Sequence, residues 1–372
     1  MRHGACGQEQ GGSEGGGQAE GEYGTGDNRP MKLATYQDGS RDGQLVVVSR
    51  DLASAHYATG IATRLQAVLD DWNFLSPQLQ DLSDDLNTGR VRHGFPFEAE
   101  RCMAPLPRAF AHVEGHAYSC HDDLLRQAAG IGAAPAATPR LQRLAGAGLL
   151  GAHESMTLPP GGGDRQADFE AGLAAITGDI PAGCSADRAV DGVRLLMLAC
   201  GMAFRGDQVD TFHARPATAF SPVAVTPDEL GASWKEGRFQ GTLQATWNGR
   251  KVGLCDVGAD MALSFGDLIA QISAAGRLRA GTIVGSGPVS QAGTPREAGR
   301  AARGSRRSQA PGDLEWPAGY CAIVEKRAME TLQDGVAKTG WLAPHDTLRF
   351  EIKGRDGQSI FGAIAHELLP AA

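Results

Sequence analysis

A chain of 372 residues, 42% hydrophobic and 21% charged, has enough apolar material for one large domain and a smaller one. Its formal charge of −8 argues against nucleic-acid or anionic-membrane partners and leaves a cation site open. No run of roughly 18 apolar residues could span a bilayer, no apolar signal-peptide core stands at the N-terminus, and the seven cysteines include no Cys-x-x-Cys pair. The chain therefore reads as a reduced, cytoplasmic protein without a zinc ribbon or a dithiol centre.

Residues 1–30 are dominated by Gly, Glu and Gln with almost no large apolar side chains. They cannot offset the entropy of ordering and are expected to form a disordered extension, with Met31 as an ancestral start. Lys32-Leu-Ala-Thr-Tyr36 and Gln44-Leu-Val-Val-Val-Ser49, separated by Asp38-Gly39, spell a β-hairpin. Residues 52–88 carry helical spacing, with Ile61, Leu65, Val68, Leu69 and Trp72 on one side. Hairpin and helix together predict a small α+β lobe over 31–100. Residues 141–150, within an Ala-, Gly- and Pro-rich run, suggest a short helix.

The remainder, 101–372, reads as a second domain whose signals sharpen after Phe169. Strands are expected over 173–176, 195–200, 219–225, 241–247, 282–284, 320–324, 347–352 and 360–365, with a helix over 265–273 presenting Leu268, Ile269 and Ile272. Asn248-Gly249 marks a tight hairpin turn. The fold class is thus α+β and strand-dominated. Residues 291–311 form an Arg-rich run without aromatics, a solvated loop rather than a nucleic-acid patch.

Alternate residues of a strand share a face, so Asp168 and Glu170 could offer oxygens to one hard cation. His112 and His116, four apart, would suit zinc on a helix, but Gly115 between them argues against that helix. Gly285-Ser286-Gly287 after an apolar strand reads as a tight turn rather than a phosphate cradle.

Ordered blocks along the chain resemble the fumarylacetoacetate hydrolase family, in its bacterial two-domain form. They are residues 106–121, 168–181, 215–222, 247–270, 278–287 and 319–327. The resemblance implies a mixed β-sandwich roll for the second domain, a homodimer, and Mg²⁺ (or Mn²⁺ or Ca²⁺) as cofactor. It further implies a small 2-oxo acid or β-diketone substrate of the acylpyruvate kind, from aromatic compound catabolism, that is cleaved at a carbon–carbon bond, hydrated or decarboxylated.

Carried onto this chain, the family pattern makes Glu114 and Glu170 metal ligands and makes His121 and Glu325 the pair that positions a water. Arg215 stands where a substrate-contacting Lys is usual. Three positions depart. Gly172 and Gly201 stand where further acidic ligands belong, and Pro288 replaces a substrate-binding Thr. Two expectations follow: a metal-dependent C–C bond hydrolase or lyase with a weakened metal site, or a catalytically silent homologue with a binding or scaffolding role.

Overall fold

The computed structural model describes residues 30–132, 140–144, 148–158, 165–206, 209, 213–295 and 314–370. The N-terminal extension up to residue 29 and positions 296–311 of the Arg-rich run lie outside them.

Two long strands form the centre of the molecule. Ala167–Thr177 and Val193–Phe204 pair antiparallel along their lengths, and every residue of the first is buried. Side chains alternate across a strand, so this ribbon feeds two cores. Phe169, Ala171, Leu173 and Ala175 face the same way as Leu196, Leu198, Cys200 and Met202, against Leu243, Ala245, Phe350 and Ile352. The Phe169 and Phe350 rings lie 5.3 Å apart. Ala174, Ile176, Leu195, Met197 and Ala199 turn the other way, into a core shared with Leu65, Leu69, Trp72 and Leu79.

Around the ribbon, a sheet of twelve strands runs in the order Phe95–Pro96, Ser54–Tyr57, Gln44–Val48, Lys32–Tyr36, Ala224–Val225, Val193–Phe204, Ala167–Thr177, Thr282–Gly285, Ala111–Gly115, Leu141–Leu144. Thr218–Phe220 and Leu149–Leu150 complete it off this path. A second sheet of five strands, Arg250–Asp256, Thr242–Trp247, Thr347–Ile352, Ile364–Pro370 and Met156–Leu158, packs across the first core. The architecture is the expected strand-dominated α+β arrangement with mixed sheets.

The N-terminal hairpin forms in the register Lys32↔Val48, and its first strand also pairs with the second domain through Leu33↔Ala224. Asn248 (φ 49) and Gly249 (φ 72) both adopt the left-handed region that a two-residue hairpin turn requires. Phe265–Ser273 is helical, closed by a capping box between Ser264 and Asp267.

Several elements depart from expectation. The helix predicted over 52–88 begins only at Leu65, because Ser54–Tyr57 extends the hairpin into a third strand, and it breaks at Asp71 between Leu65–Asp70 and Trp72–Asn87. Within the span 141–150, Leu141–Leu144 and Leu149–Leu150 are strands rather than helix, with Leu141–Leu144 pairing along Ala111–Gly115. The strand expected over 219–225 divides into Thr218–Phe220 and Ala224–Val225. The strand over 320–324 is replaced by the helix Ile323–Asp334, leaving one bridge, Glu170↔Ala322. The last strand shifts to Ile364–Pro370.

Candidate active site

The face that carries Ala174 and Ile176 into the second core continues backwards along the strand as Gly172, Glu170 and Asp168. On the neighbouring strand the register sets Ala199 opposite Gly172 and Gly201 opposite Glu170. The acidic pair therefore stands on one face beside two glycines, as the alternate spacing of Asp168 and Glu170 requires.

Neither carboxylate is free. Arg205 Nη2 and Arg215 Nη1 each donate to Glu170, on Oε1 and Oε2, and Arg215 Nη2 adds a bond of 2.9 Å to Oε1. Arg205 also reaches Asp168 through Nε at 3.2 Å and Nη2 at 3.1 Å. Asp168 accepts in addition from the backbone N–H groups of Ile323 (2.6 Å) and Val324 (3.2 Å). It thus caps the helix Ile323–Asp334, whose own N-cap residue, Ala322, has no side chain to do so. Burial pushes the Asp168 carboxyl above its ordinary value despite Arg205 and the two amides.

Glu114 enters from the parallel strand Ala111–Gly115 and accepts from the Gly287 N–H at 2.7 Å, with His112 Nε2 at 3.6 Å. Burial would raise its carboxyl, but His112, Arg215 and the Gly287 amide together hold it below the usual value. Arg215 is itself lowered by burial, against the pull of Glu114 and Asp168. Glu114, Glu170, Gly172, Gly201, Arg215 and Gly287 line one crevice whose volume of about 10 Å³ suits about one water molecule.

The two glycines differ in kind. A Cβ built at Gly172 would fall well under 3.0 Å from the Gly287 carbonyl oxygen and 2.8 Å from Ser286 Oγ. At Gly201 the nearest atoms to a built Cβ lie 3.9 Å away. Position 172 is therefore closed to any side chain, whereas position 201 is open. Ser286 Oγ holds the adjoining turn by accepting from Leu173 N (3.1 Å) and donating to the Gly287 carbonyl (2.8 Å).

A second cluster lies at the ends of two helices. His121, on Ser119–Ala128, meets Glu325, in the first turn of Ile323–Asp334, with Nδ1 and Oε1 2.8 Å apart and both side chains buried. A carboxylate facing Nδ1 accepts a hydrogen bond from its N–H, a tautomer that leaves Nε2 as the nitrogen with a free lone pair. Neither residue lines the crevice, but the two clusters share a segment. Ala171 N donates to the Cys321 carbonyl at 2.8 Å, and Asp168 anchors Ile323 and Val324 just before Glu325.

Of the residues singled out in the sequence, Glu114, Glu170 and Arg215 come together at the crevice, and His121 and Glu325 form the separate pair. His112 and His116 are not two ligands on a helix: His112 lies in a strand beside Glu114, and His116 faces Asp122 at 3.3 Å. Arg205 escaped notice. Counting by twos from Leu195 through Met197, Ala199, Gly201 and Ala203 brings Arg205 to the face of Glu170, so strand alternation could have found it.

The residues do not fit a divalent cation of the kind the resemblance implies. Both oxygens of Glu170 are held by guanidinium groups, Asp168 serves a helix terminus, and Glu114 serves a backbone amide. Position 172 has no room for another ligand. Among the described residues no three His, Cys, Asp or Glu side chains are grouped to hold a metal.

The fumarylacetoacetase N-terminal domain 2 model matches residues 31–108, and the fumarylacetoacetate (FAA) hydrolase C-terminal model matches 116–367. The chain belongs to the fumarylacetoacetate hydrolase family. No curated protein matches it. Among solved structures, maleylpyruvate hydrolase from a Sphingobium species is similar at 16% identity over 92% of this chain and 100% of that one, with a TM-score of 0.59. The complex of that enzyme with manganese(II) and pyruvate matches over the same shares at 16% identity and a TM-score of 0.58. A 2-hydroxyhepta-2,4-diene-1,7-dioate isomerase from Mycobacterium marinum is similar at 15% identity over 92% and 99% of the two chains, TM-score 0.53. At such identities the likeness is one of fold. Among the described residues, no helix is long and apolar enough to cross a membrane.

Proposed function

We propose that this chain hydrolyses a carbon–carbon bond in a small 2-oxo acid of the acylpyruvate kind, with His121 and Glu325 activating water and Arg215 holding the substrate's carboxylate. The single observation that carries the proposal is the buried 2.8 Å contact between His121 and Glu325, an imidazole oriented by a carboxylate. Family membership and the likeness to a maleylpyruvate hydrolase support the choice of substrate class. In the reaction His121 Nε2 takes a proton from water and the hydroxide adds to the acyl keto carbon, the one remote from the 2-oxo acid end. The C–C bond beside it then breaks, its electron pair leaves as the enolate of pyruvate, and return of the proton from His121 Nε2 to that enolate gives pyruvate and a carboxylic acid. Arg215 would hold the enolate and carboxylate oxygens once it turns from Glu170, which it pairs with in the unliganded structure. No step is routed through magnesium or manganese. The family resemblance supports a cytoplasmic homodimer as the setting of this activity.

A second reading, a catalytically silent homologue that binds without turnover, is favoured by the size of the crevice, which suits about one water and would have to open between Arg215 and Glu170. Pyruvate release from maleylpyruvate and related acylpyruvates, with and without added Mn²⁺, separates the two. The hydrolase reading expects release that His121→Ala and Glu325→Gln both abolish. No release from the unaltered chain under either condition rejects it in favour of the silent homologue.

A further inference from the structure

The acidic face built by Asp168, Glu170 and Glu114 would in isolation repel itself, and clustered buried carboxylates need positive charge close by. Here that charge comes from side chains. Arg205 bridges Asp168 and Glu170 with one planar fork, and Arg215 grips both oxygens of Glu170 with another. Two guanidinium groups carry the same charge as one divalent ion, and bidentate pairing with a carboxylate is the geometry that suits them.

Strand alternation makes the arrangement a product of sequence. Arg205 directly follows the strand Val193–Phe204 that carries Gly201, on the face that Glu170 shares, and Arg215 precedes Thr218–Phe220, which pairs with that strand. Gly172 completes it by exclusion. The Gly287 carbonyl and Ser286 Oγ occupy the space where a side chain at 172 would stand, and Gly287 directs its N–H to Glu114.

We propose that the Arg205–Arg215 pair takes the place of the divalent cation in this fold, so that the acidic crevice forms without metal. The identity of any ligand held at Arg215 rests on the 2-oxo acid reading above; the replacement of the cation does not. Thermal melts of the full chain in excess EDTA and in excess Mn²⁺ are expected to superimpose. Arg205→Ala should melt lower, since Asp168 and Glu170 lose their shared counter-charge, and Mn²⁺ should recover part of that loss in the variant alone. Should Arg205→Ala fail to fold, Arg205→Lys keeps the charge without the fork and should melt below the unaltered chain, with that melt indifferent to Mn²⁺.

A Mn²⁺-induced rise of about 3 °C or more in the unaltered chain would reveal a bound ion and overturn the proposal. So would Arg205→Ala or Arg205→Lys melting with the unaltered chain. Calorimetric titration of pyruvate in EDTA runs alongside. Metal-indifferent melts with no pyruvate binding would leave the arginine replacement standing and remove the 2-oxo acid reading.

Discussion

Replacing Gly172 by Ala tests the packing on which the crevice depends. The new methyl group would press on the Gly287 carbonyl well inside 3.0 Å and on Ser286 Oγ at 2.8 Å, and the first of these is backbone that cannot rotate away. Overpacking of this kind costs about 1–3 kcal/mol. Any retreat of Gly287 also weakens its 2.7 Å bond to Glu114, and a bond to a charged group contributes about 1.5–3 kcal/mol. Against this, Ala in place of Gly in a strand recovers roughly 0.5–1 kcal/mol. The net loss should be about 2–4 kcal/mol, or a fall in melting temperature of roughly 3–5 °C for a chain of this size. Gly201→Ala is the matched control on the partner strand, where the nearest contact of 3.9 Å is ordinary and the change should stay within about 1 kcal/mol. Differential scanning calorimetry of the two variants decides the matter. Equal stability of Gly172→Ala and the unaltered chain, or equal damage at both positions, would refute the reasoning.

Two further perturbations have definite signs. His366 is buried, neither ring nitrogen has a hydrogen-bond partner, and burial together with His153 pushes its pKa down to about 4 from 6.5. The unfolded chain therefore binds the extra proton first, and stability of about 3 kcal/mol present above pH 6.5 is lost as pH falls toward 4. His366→Phe should flatten that limb in urea titrations across the same window; an unchanged slope would contradict it. Asp168→Asn should lower stability by about 2 kcal/mol in urea unfolding, because it weakens a helix cap and unbalances Arg205. A variant as stable as the original would mean that the cap contributes nothing.

Much of the site was legible because strands impose a period of two. Asp168, Glu170 and Gly172 fall on one face for that reason alone, and Asn248-Gly249 announced its turn through residues that tolerate positive φ. What escaped the sequence was set by distant partners. Residues 320–324 look like a strand, yet the helix starting at Ile323 is capped by Asp168, which lies 155 positions earlier, so no local signal marks it. Residues 141–150 carry helix-forming Leu and Ala, but Leu141–Leu144 gains hydrogen bonds as the edge of the large sheet, and tertiary pairing overrides the propensity. Gly172 looked like an emptied ligand position. Its meaning changed once the Gly287 carbonyl was seen to fill the space.

The central claim, that guanidinium groups occupy the cation's place beside Glu170, is tested most directly by anomalous diffraction at the manganese edge from crystals soaked in Mn²⁺. The account predicts no anomalous peak within bonding distance of Glu114, Asp168 or Glu170, and density for Arg205 and Arg215 on the Glu170 carboxylate. A peak at that carboxylate with the arginines turned away would contradict it.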